Sequence, residues 1–109
     1  MSAKAEHTPP DGTPQEIDKL IHEPARLMLM AHLYVVESAD FTYLMKQTDL
    51  SWGNLSSHMS KLEDANYIEV IKEFKGKRPN TMLKLTAQGR DAFKHYRQQM
   101  LDVLENLPE

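Results

Sequence analysis

Cysteine is absent from the 109-residue chain, which excludes disulfides and thiolate metal sites. Any sulfur redox chemistry would fall to the seven methionines, whose simpler use is to fill a core. No apolar run approaches the roughly 20 residues needed to cross a bilayer. Residues 1–13 also hold no apolar segment of the signal-peptide kind, so a cytoplasmic protein with no membrane partner is expected. Gly-rich phosphate loops, nucleophile elbows and paired acids are lacking too, so neither an enzyme nor a cofactor is expected. His7, His22, His32, His58 and His95 are scattered without the short spacings of zinc ligands, and no metal site is expected. His32 lies on an apolar stretch and reads as a packed core residue, whereas His22 and His95 could meet near the terminal helices and add pH sensitivity.

What remains is an ordinary globular composition of one domain's size, 40% hydrophobic and 27% charged. Thirteen basic residues face sixteen acidic ones, which argues against a protein that coats nucleic acid through bulk charge. The distribution says more. Residues 1–40 carry three cations and seven anions, a balance of minus four, while residues 41–86 carry seven and five, a balance of plus two. An anion would bind in the middle of the chain.

Residues 1–14 mix Ala, Pro, Gly, Thr and charge without periodicity and read as a flexible tail ahead of one domain over residues 15–109. Ile17, Leu20 and Ile21 have helical spacing before Pro24, which suits the first turn of a new helix. That second helix, with Leu27, Met28, Met30, Ala31, Leu33, Tyr34 and Val35, has few polar positions and is expected to be buried on most sides. Asp40 is an N-cap candidate for a short helix carrying Phe41, Leu44 and Met45 on one face. Ser51 can cap a helix over residues 52–65 with Leu55, Met59 and Leu62 as its apolar stripe. Asn66 suits a left-handed C-terminal cap. Branched and aromatic residues over 67–74 read as a strand, residues 75–80 as a basic turn, and residues 81–85 as a second, alternating strand. From Thr86 a last helix carries Ala92, Phe93, Tyr96, Met100, Val103, Leu104 and Leu107 at spacings of three and four.

A helix, a tight turn, a second helix and a basic-tipped hairpin follow one another in the order of a winged helix-turn-helix. Five stretches, residues 21–27, 54–63, 67–70, 75–79 and 85–90, resemble winged-helix transcriptional regulators of the MarR and ArsR type. The resemblance spans roughly residues 17–107. It implies a mainly α fold with a small β-hairpin wing, an α+β arrangement with extended terminal helices, and a dimer that binds duplex DNA and joins through those helices.

The residues support the same reading. At about 100° per residue, Leu55, Met59 and Leu62 point inward, leaving Gly53, Asn54, Ser57, Ser60, Lys61 and Asp64 outward. Such a small polar face fits a major groove about 12 Å wide, where Asn54 suits adenine, Ser57 several bases and Lys61 guanine or phosphate. Ser56 and His58 flank the face, and Ser51 and Trp52 sit at its N-terminal turn, where the indole N–H could reach the backbone. Lys75, Lys77 and Arg78, in a wing over residues 74–81, can reach phosphates or an adjacent minor groove. The last helix is longer than a small core needs. With Ile17, Leu20 and Ile21, its residues Phe93, Tyr96, Met100, Val103, Leu104 and Leu107 therefore suggest a homodimer interface.

The expected function is a sequence-specific regulator binding double-stranded DNA as a dimer, repression being the expected direction. The competing reading is a winged-helix adaptor that binds protein rather than DNA, kept open by Glu63, Asp64 and Glu69. A small-molecule effector is open as well, with Met28, Met30, Tyr34 and Tyr96 as unspecific candidate lining.

Overall fold

The structure, a computed structural model, describes residues 17–108. The expected tail over residues 1–14 lies outside them. The element order is α1 (Pro24–Val36), β1 (Ser38–Asp40), α2 (Phe41–Thr48), α3 (Trp52–Asp64), β2 (Ile68–Lys75), β3 (Arg78–Leu85) and α4 (Ala87–Glu105). Three antiparallel strands in the order β1-β3-β2 form one sheet.

Local chemistry sets most of these boundaries. Glu23 is extended, as a residue before proline must be, and its carboxylate accepts from the Arg26 amide at 2.9 Å while Pro24 opens α1. Asp40 caps α2 through the Tyr43 amide, and Ser51 caps α3 through the Asn54 amide. Asn66 has a φ of 65° and ends α3 in a Schellman motif, its N–H bonding Glu63 O and that of Tyr67 bonding Leu62 O.

Three expectations are corrected. Ile17, Leu20 and Ile21 do not build a helix. The Asp18 carboxylate takes the Leu20 and Ile21 amides into a single turn, and the chain straightens before Pro24. Helix α1 is not buried on most sides, since Leu29, Met30 and Leu33 are inside while Met28, Val35 and Val36 are exposed. The six-residue turn shrinks to Gly76-Lys77, because Lys75 pairs with Arg78 and the ladder runs to the tip. Gly76 has a φ of 65° at the first central position, as a two-residue type II′ hairpin requires.

One core joins the layers. Leu29, Met30 and Leu33 of α1, Leu44 of α2, Leu55 and Leu62 of α3, and Ile68, Leu83 and Leu85 of the sheet meet there with Phe93 and Tyr96 of α4. The start of α4 is fixed against β2 by Thr86, whose hydroxyl accepts from the Gly89 amide and donates toward the carbonyls of Asn66 and Tyr67. Gly89 is buried there. A β-carbon at that position would overlap the Tyr67 carbonyl, and because the obstacle is backbone it cannot swing aside. Gly89→Ala is therefore expected to lower stability by about 2 kcal/mol or more in urea denaturation, with the slope unchanged.

Candidate nucleic-acid interface

Helix α3 has two unlike sides. Leu55 and Leu62 are fully buried and Met59 packs against the core, while Gly53, Asn54, Ser57, Ser60, Lys61 and Asp64 lie on the opposite, more open side. The outward residues are short or flexible and polar, so nothing bulky stands between the helix backbone and a groove. Ser51 and Trp52 are exposed at the N-terminal turn. The Trp52 ring is tilted against Phe41 at 5.8 Å, which steadies an indole that is 67% exposed.

Ser56 and His58 are half-buried rather than outward. His58 faces α1, where its Nδ1 accepts from Arg26 Nη1 at 3.0 Å and lies 3.9 Å from Glu23 Oε1. Its Nδ1 is therefore already engaged within the chain. Arg26 also donates through Nε to Leu20 O at 2.6 Å, so one guanidinium joins the segment before α1, helix α1 and helix α3. Sequence reasoning missed Arg26. An arginine near the start of an apolar helix gives no hint of a partner 32 residues away, and only the packing of α1 on α3 brings the two together.

The wing carries the remaining candidates. Lys75 and Arg78 pair directly across the ladder, which puts both cations on one face, and Lys77 occupies the turn between them. Like charges held opposite each other repel, and a phosphate between them would relieve that repulsion. All three are exposed. On the same face two pairs inward, Asn80 Nδ2 donates to Glu73 Oε2 at 3.1 Å and holds that carboxylate.

The expected dimer residues separate into two groups. Ile21, Phe93 and Tyr96 lie inside the chain's own core, and Ile17, Leu20 and Met100 pack against it. His22 Nδ1 bonds the Tyr96 hydroxyl at 2.7 Å, and the Tyr67 hydroxyl donates to Asp18 at 2.5 Å, so the segment ahead of α1 is tied to α4 and to the residue that leads into β2. Burial, with the Asp18 carboxylate beside it, pushes the Tyr67 hydroxyl up to about 12, so it remains a donor well into the alkaline range. Leu104 and Leu107 remain exposed, Val103 is half-buried, and exposed Leu101 joins them.

With this geometry established, comparison with known proteins gives the family. Residues 25–104 match the winged helix DNA-binding domain, and the chain belongs to that family. An uncharacterized protein of Methanocaldococcus jannaschii is 35% identical over 89 residues, covering 82% of this chain and 97% of that one. Among solved structures, a transcriptional regulator homologue from Pyrococcus horikoshii superposes with a TM-score of 0.80 at 28% identity, covering 84% of this chain and 91% of that one. An ArsR family transcriptional regulator superposes with a TM-score of 0.54 at 16% identity, covering 83% and 88%, and shares the fold. The chain is thus a winged helix-turn-helix protein, and its structural neighbours include transcriptional regulators.

The Glu23 carboxyl sits below its ordinary value of 4.5, chiefly because the Arg26 amide donates to it, with the Arg26 charge adding to the effect against a smaller opposing push from burial. A depressed carboxylate stabilises the fold above its unfolded pKa and loses that contribution as pH falls through the lower folded one. Glu23→Ala is expected to cost about 1 kcal/mol at pH 7 by loss of the cap. Urea titrations across pH should show the gap from wild type narrowing below 4.5.

Proposed function

We propose that the chain is a sequence-specific transcriptional regulator that binds double-stranded DNA as a homodimer in the cytoplasm, acting as a repressor by occupying its site. Its role is binding rather than catalysis. Helix α3 enters the major groove with Asn54, Ser57 and Lys61 toward base edges, and Ser51 and Trp52 toward the sugar-phosphate backbone. His58 serves from behind by positioning α3 on Arg26. Lys75, Lys77 and Arg78 on the wing neutralise flanking phosphates. The observation that carries this reading is the division of α3, with Leu55 and Leu62 fully buried and the polar face opposite them open.

The homodimer rests on α4. At about 100° per residue, Phe93, Tyr96, Met100, Val103 and Leu104 fall on one stripe, and Leu107 follows just past the helix end at Glu105. Its first part is sunk in the core, and its last part runs on past the core with Leu104 and Leu107 each 59% exposed. A second copy joined there by two-fold symmetry would set two recognition helices about one DNA turn apart on a near-palindromic site.

Selection from a random duplex library tests both parts at once, with enrichment of near-palindromic sites as the expected result. Lys61→Ala should weaken the selected duplex about tenfold and relax one position. Replacing Lys77 and Arg78 together by Ala should weaken all duplexes alike and flatten the salt dependence, by about 0.9 for each phosphate no longer neutralised. Blank selections at low salt contradict DNA binding and favour the protein adaptor suggested by Glu63, Asp64 and Glu69, while full affinity in both variants contradicts this placement of α3 and the wing. Leu104→Glu with Leu107→Glu should give folded monomers by light scattering, and a dimer that survives both changes contradicts the interface.

A further inference from the structure

Phe74 lies on the wing and is 71% exposed. A single surface aromatic is ordinary, but the position, rigidity and surroundings of this one set it apart. It pairs with Pro79 across the ladder, next to the pair that closes the turn, on the sheet face that carries buried Leu83 and Ile68 further in. Counting from Val70, which still touches the core, Phe74 stands four residues further out, about 13 Å at strand spacing.

The pair is stiff. Lys75 and Arg78 flank the two-residue turn as a hydrogen-bonded pair, so Phe74 and Pro79 form the next, non-hydrogen-bonded one, where side chains approach more closely. The same alternation turns the Leu85 amide outward, and it donates to Glu37 O at 2.9 Å. The missing N–H of Pro79 thus points off the free edge and costs no ladder bond, while it bars another strand from adding there.

The charges around the pair favour a polyanion. Lys72 shares its face two residues inward along β2, Lys75 and Arg78 adjoin it toward the tip, and Lys77 crowns the turn. Of these, only Lys72 is on the face of Phe74; Lys75 and Arg78 are on the opposite face together with the anion Glu73, whose carboxylate is held by Asn80.

We propose that Phe74, backed by Pro79, is an apolar wedge that the wing presses into the minor groove beside the bases read by α3. There it partly unstacks one step and selects a flexible pyrimidine–purine step at a fixed distance from those bases. The wedge rests on the DNA-binding reading above. The cations hold the wing on the two phosphate strands, and the ring supplies the specificity that phosphate contacts lack.

The test compares wild type with Phe74→Ala and Phe74→Trp in random-duplex selection, with melting curves confirming that each variant is folded. Wild type and Phe74→Trp should enrich TA or CA steps at fixed flanking positions. Phe74→Ala should keep the bases under α3, lose the flanking preference and bind the selected duplex about tenfold more weakly. 2-Aminopurine placed at the flanking step should brighten on binding wild type and not on binding Phe74→Ala. An unchanged flanking preference with affinity within twofold in Phe74→Ala overturns the wedge while leaving DNA binding intact. A Phe74→Ala protein that binds DNA normally but changes oligomeric state overturns it in favour of a self-contact. No enrichment by any of the three overturns the DNA-binding reading and the wedge with it.

Discussion

The burial of Leu55 and Leu62 is the constraint on which the interface depends. Two leucines seven residues apart fix the rotation of α3 about its axis to within a small angle, because turning the helix would lift both out of the core. At about 25 cal/mol per Å² of apolar surface, that displacement costs several kcal/mol, more than a few exposed polar side chains could return. Asn54, Ser57 and Lys61 are therefore held outward by what lies behind them. Arg26 adds the same restraint at mid-helix by gripping His58 from α1 and the Leu20 carbonyl from the segment before it.

The wing depends on a different kind of rigidity. Two long strands pair to the tip with only Gly76-Lys77 left over, so cations that would be diffuse on a six-residue loop are fixed in register. Register then sorts the side chains by face. Lys75, Arg78, Glu73 and Asn80 go to one side, and Phe74, Pro79, Lys72 and Thr81 to the other. A basic tip, an apolar blade and a polar flank arise from alternation alone.

Much of this was legible in the sequence because it is written in local chemistry. Asp40, Ser51, Pro24 and Asn66 mark helix ends through bonds spanning at most a few residues, and the stripe of α3 is visible from spacing. Strand β1 was not legible. Ser38–Asp40 is too short to show alternation and exists by pairing with residues 82–84 of β3. The segment ahead of α1 misled for the opposite reason, since Ile17, Leu20 and Ile21 do mimic a helix until the Asp18 side chain captures the two amides. Likewise the stripe of α4 is continuous in sequence, and where it leaves the core, between Tyr96 and Leu104, is settled by tertiary packing. In the candidate interface, outward Asn54, Ser57 and Lys61 could be read by counting, whereas the inward turn of His58 could not.

The most direct measurement is a backbone amide NMR titration of the full chain with a library-selected duplex. The account predicts that the largest shift changes fall on residues 51–61 and 72–79, while amides around Leu29, Leu33 and Phe93 stay nearly still. Changes concentrated on the outer side of α1 or on the sheet face bearing Glu69 and Lys84, with α3 silent, would contradict it.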